Sequence, residues 1–137
     1  MKRIILIFIV LSIFAGCRKD NGGDSDVRID GEWELISLTT KSVDMDGTTL
    51  NVYIEFAGGR FELYQKLGDG AYYAFTGSYS VVGDELSGQY SDGKAFGAKY
   101  NVAFVDDCLE LRPVGKNETQ LLKPSSIPQA VKQGAIR

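Results

Sequence analysis

No histidine occurs among the 137 residues of this chain. That absence removes the imidazole on which Ser-His-Asp and Cys-His catalysis, most catalytic zinc sites and general-base chemistry near neutral pH depend. Cysteine is nearly as scarce, with two residues, Cys17 and Cys108. Cys108 sits in the alternating stretch Asp106-Asp107-Cys108-Leu109-Glu110-Leu111, which reads as a strand carrying a small residue. Positive charge is in deficit: 15 basic residues face 18 acidic ones, and the basic residues form no cluster. A nucleic-acid partner is therefore not expected. Long apolar runs are missing except for one, Ile4 to Phe14, which is too short to cross a hydrocarbon core of about 30 Å as a helix.

That run has a different use. Lys2 and Arg3 precede it, and Phe14-Ala15-Gly16-Cys17 ends it, giving the basic, apolar and small-residue order of a secretory signal over residues 1–16. The ending resembles the lipobox of bacterial lipoproteins. The resemblance implies cleavage before Cys17, diacylation of its thiol, and a protein held in the bacterial outer membrane by its lipid, facing the periplasm or the surface. Cys108 would then have no partner for an intrachain disulfide. Residues 17–30 continue as a polar, glycine-containing segment and are expected to be a flexible lipidated tether. The remaining chain amounts to one domain, enough for a single modest core.

The body is cut at short intervals by glycine-bearing breaks: Gly58-Gly59, Gly68-Asp69-Gly70, Gly83-Asp84, Asp92-Gly93 and Gly115-Lys116-Asn117. Between them lie segments of hairpin length rich in β-branched and aromatic residues. The pattern predicts strands near 32–40, 49–57, 60–67, 71–82, 85–91, 95–106, 108–113 and 118–123. Alternation assigns Ile54 and Phe56, Phe61 and Leu63, Phe75, Tyr79 and Val81, Leu86 and Tyr90, and Phe96, Tyr100, Val102 and Phe104 to a buried face. Glu55, Glu62, Lys66, Lys99, Asn101 and Glu110 take the wet face. Eight such strands with no crossover helix predict an all-β fold, an eight-stranded antiparallel up-and-down barrel over 31–124. A two-sheet sandwich is the alternative, but the near-uniform hairpin spacing lacks its long connections. In the tail, 125–137, Pro128 and Gly134 bracket one short helix placed against the barrel or across its end.

Gly31-Glu32-Trp33, at the head of the first strand, resembles the G-x-W motif of lipocalins. Phe61-Glu62-Leu63, Gly77-Ser78-Tyr79 and the stretch from Leu86 to Gly93 are similar to small lipocalin-like lipoproteins of Bacteroidetes. The resemblance implies a barrel closed at one end by Trp33 with an arginine across its ring, a role for which Arg112 is the candidate.

An eight-stranded barrel is just wide enough to be filled by side chains or to hold one small ligand. The many inward rings favour filling, whereas Gly77, Gly88 and Ala98 on the same face would free volume. Tyr79, Tyr90, Phe96 and Tyr100 are the candidate wall residues for a small apolar or amphipathic ligand. Asp44-Met45-Asp46-Gly47 resembles part of a calcium loop, but the position of the bidentate glutamate holds Tyr53, so a plain turn is expected and no metal or other cofactor. Glu32/Glu34 and Asp106/Asp107 are the nearest carboxylate pairs, and neither points inward as a glycosidase would require. The sequence thus reads as a binding protein and not an enzyme. Two readings remain: a carrier or sensor with its ligand in the barrel mouth, or an envelope module with a solid core that binds protein or glycan through its outer surface.

Overall fold

Strands made of alternating apolar and polar residues bury one face either by packing as two sheets or by curling until first meets last, and these curl into a closed barrel. The computed structural model describes residues 26–40 and 50–137, with the backbone alone for 37–40. The signal segment, Cys17 and the Asp44–Gly47 turn lie outside the described residues. Eight strands run in chain order: β1 (Gly31–Thr40), β2 (Leu50–Ala57), β3 (Arg60–Leu67), β4 (Tyr73–Val82), β5 (Glu85–Tyr90), β6 (Tyr100–Val105), β7 (Cys108–Pro113) and β8 (Glu118–Pro124). Each pairs antiparallel with its sequence neighbour, and β1 closes the barrel on β8 from Trp33 opposite Pro124 to Thr40 opposite Glu118. A register shift between Leu35 and Ser37 lets β1 bend away from β2, with which it pairs only from Gly31 to Glu34.

The core is the inward face that alternation predicts, built on Trp33, Phe56, Phe61, Leu86, Leu109 and Leu122. One end is closed by the tight turns at 58–59, 83–84 and 106–107. Asp106 and Asp107 both adopt positive φ, 50° and 68°, the backbone that a two-residue hairpin demands and that aspartate tolerates better than most residues.

The expected tether corrects at its last five residues. Asp26–Asp30 pack under the closed end as its floor. The Val27 N–H donates to the Gly83 carbonyl, and the Gly83 N–H donates to Asp26 Oδ1, both at 2.8 Å. Ile29, 1% exposed, fills the bottom of the core. The physical reason is a short alternation, Val27 and Ile29 against Arg28 and Asp30, which the surrounding charges obscure.

The strand expected over 95–106 is also shorter. β6 begins at Tyr100, and residues 94–96 hook back onto β5, with the Tyr90 N–H donating to the Lys94 carbonyl and the Phe96 N–H to the Gly88 carbonyl. The tail forms one short helix, α1 (Gln129–Gly134), laid against the outer wall and not across an end. It holds Ile127 and Val131 over Tyr64, an outward-facing ring that is nevertheless 1% exposed. Lys132 pairs with Glu32 and, at 3.7 Å, with Glu55.

Candidate functional site

The open end carries the connections at 68–72, 91–99 and 114–117, and two adjoining spaces lie there. The inner one, about 120 Å³, is in the barrel axis and is lined by Ile54, Leu63, Tyr90, Phe96, Tyr100 and Gln120, among others. The larger, about 500 Å³, lies beside it in the wall, between the upper part of β4 and the loop after β5. Leu63 and Tyr90 line both.

A ladder of rings builds the inner space. Tyr90 meets Phe61 edge-on at 5.5 Å and Phe96 at the same distance, and Phe96 meets Tyr100 at 6.3 Å. These rings consume the volume that inward glycines would have freed. A Cβ on Gly88 would approach Phe96 Cε2 to 2.5 Å, and one on Gly77 would meet Phe61 Cε1 at 2.7 Å as well as the Gln89 carbonyl oxygen. The barrel is therefore largely filled, with a cavity a few heavy atoms in size. Burial pushes the Tyr90 and Tyr100 hydroxyls up from their ordinary pKa, and a Gln120 hydrogen bond to Tyr100 opposes that rise. Among the described residues Gln120 is the one side-chain amide lining this space, and the sequence reading missed it. Its place opposite the buried Leu111, two residues from the buried Leu122, marks it as inward.

Of the four candidate wall residues, Tyr90, Phe96 and Tyr100 come together around the inner space, and Tyr79 does not join them. Tyr79 lies at the floor, its ring edge-on to Phe56 at 4.9 Å and its hydroxyl donating to Asp30 Oδ1 at 2.8 Å. That bond holds the Asp30 carboxyl below its ordinary pKa, and burial raises the Tyr79 hydroxyl.

Trp33 sits near the floor as expected of a plug, buried, with its indole N–H donating to the Ile29 carbonyl at 3.0 Å. The arginine expected across its ring is not there. Arg112 projects outward, its side chain 61% exposed, and pairs with Glu110 at 2.9 Å, because strict alternation with Leu109 and Leu111 continues to the end of β7. The ring that Trp33 meets is Phe104, at 6.1 Å.

The carboxylates near the tail are engaged by cations: Glu32 by Lys132, and Glu34 by Lys123 at 3.4 Å and by the Ser125 hydroxyl at 3.2 Å. Among the described residues no group of cysteine and acidic side chains could hold a metal ion. Apolar surface, by contrast, gathers at the open end, where Leu67, Tyr73 and Phe75 are exposed.

The family model for a lipocalin-like domain matches residues 29–107, from the buried floor residue Ile29 through the β6–β7 turn. No curated protein and no solved structure matches the chain. The match spans more than half of the sequence, and the chain belongs to the lipocalin-like domain family.

Proposed function

We propose that this lipocalin-like barrel, an architecture that binds ligands in general, is an envelope binding protein. A lipid on Cys17 holds it in a bacterial outer membrane, and it takes a small apolar or amphipathic molecule at the barrel mouth. The observation that carries the binding reading is the pair of adjoining spaces, about 120 Å³ and 500 Å³, walled by rings and aliphatic side chains with a few hydroxyl and amide groups and, in the larger, Asp92 and Arg137. The anchoring reading rests on the signal segment and on the small residues before Cys17.

The small inner space also favours a second reading, a solid barrel that docks protein or glycan through its outer surface. Native mass spectrometry of the purified protein separates the two. A co-purifying molecule of a few hundred daltons is expected, and its reproducible absence together with capture of a macromolecule would favour outer-surface docking. Cys17→Ser is expected to release the protein from membranes or to stop its processing, since reversible surface contact does not replace an acyl anchor. A Cys17→Ser chain still cleaved before residue 17 and still membrane-bound would overturn the anchoring.

A further inference from the structure

The larger space is not in the barrel axis. It opens through the wall. β4 runs past the end of β5: the last contact between them is the Ser91 N–H donating to the Thr76 carbonyl at 2.9 Å, backed by the Thr76 hydroxyl to Ser91 Oγ at 3.3 Å. Above that point the free edge of β4 is taken by the tail, with the Ala74 N–H donating to the Ile136 carbonyl and the Ile136 N–H to the Tyr72 carbonyl, both at 2.8 Å. The result is a lateral window with Thr76–Ser91 as its sill, Phe75 and Asp92 at its sides and Arg137 on its outer edge. Residues from both faces of β4, inward Phe75 and outward Ala74 and Thr76, line the same space, which lies at the gap between the Ile136 bridge and the Thr76–Ser91 sill.

The axial route is narrower. The hook at 94–96 swings Phe96 across the barrel and onto Gly88, leaving the small space behind it. Resting on the binding reading above, we propose that ligand occupies this lateral window, with Tyr90 and Leu63 as the septum that stops it short of the axial space, and that the site selects an uncharged amphiphile over a carboxylic acid. The charge argument is local. Arg137 is tied to Glu62 at 2.6 Å, and Asp92, whose Oδ1 accepts the Lys94 N–H at 2.9 Å, has no cationic partner among the described residues. The window therefore offers an acid no free cation and one uncompensated negative charge.

The test uses the full chain and the uncharged fluorophore prodan. Ser91→Trp and, independently, Thr76→Trp fill the window. Leu111→Phe adds volume at the axial space, which the buried Leu111 side chain lines. With circular dichroism showing each variant folded, both window variants are expected to weaken prodan binding at least about tenfold, and Leu111→Phe to leave it within about twofold. The reverse pattern would overturn the window and leave the binding reading standing, whereas prodan failing to bind the unaltered chain would remove both. Decanol is expected to displace prodan at a concentration at least about fivefold lower than decanoate, with Asp92→Asn narrowing the gap. Equal displacement by the two, or tighter decanoate, would overturn the selectivity.

Discussion

Trp33 contributes through area and position. It fills the floor end, satisfies its one polar atom on Ile29, and meets Phe104 at a tilt of 45°. Trp33→Ala is therefore expected to cost about 3–5 kcal/mol, while Arg112→Ala, removing an exposed ion pair, costs at most about 1 kcal/mol. Urea unfolding of the two variants checks this, and comparable losses would mean that Arg112 supports the floor after all. The inward glycines make a second residue-scale prediction. At Gly88 a methyl group meets the tip of Phe96 and the Ser78 carbonyl at 2.8 Å; at Gly77 it meets the Gln89 carbonyl more closely still, as well as Phe61. Gly88→Ala is expected to cost about 1–3 kcal/mol and Gly77→Ala more, with the order of their melting temperatures as the readout.

α1 illustrates how an element too short to be stable alone is held by what it covers. Its six residues carry no side-chain cap, so packing of Ile127 and Val131 on Tyr64 and the pairing of Lys132 with Glu32 and Glu55 keep it in place. Ile127→Ala is expected to destabilise the protein by about 2–4 kcal/mol, and nitration of Tyr64 with tetranitromethane should become faster. Unchanged nitration would show the helix to be held elsewhere. The elements were largely legible in the sequence because glycine-bearing turns and two-residue alternation report directly on hairpins and faces. What covers an outer face is a different matter. Tyr53, Tyr64 and Tyr72 stand on or beside the wet side, and nothing in the local alternation says that a segment more than fifty residues later will bury them. The same limit explains Tyr79, rightly read as inward but at the floor rather than the mouth, and the window, whose outer edge is supplied by the far end of the chain.

At the scale of the whole molecule, titration should unfold the barrel from both sides of neutrality. Asp30 has its carboxyl pKa lowered, chiefly by the Tyr79 hydroxyl, so its contribution is present above its unfolded pKa and is lost as pH falls through the lower, folded value. Asp30→Asn should flatten the stability profile below about pH 4. Tyr64, Tyr72, Tyr79, Tyr90 and Tyr100 are all shifted upward, mainly by burial. Their neutral forms are favoured in the fold, so stability holds below about pH 10 and drops above it as the unfolded chain ionises more readily. Melting temperature against pH is the measurement, and a flat alkaline limb would contradict the burial of these hydroxyls.

The floor strap has one more consequence, and it concerns orientation. The chain joins the barrel at Asp26, beside the Gly83 turn, at the pole opposite the rim and the window. The point where the described chain begins thus lies among the tight turns, the length of the barrel away from the rim and the side opening. Asp26, Asp30, Asp84, Asp106 and Asp107 gather at that pole against Arg28 and Arg60, so the floor is a net negative face that repels anionic surfaces and leaves the side opening, at the other end, outside that field.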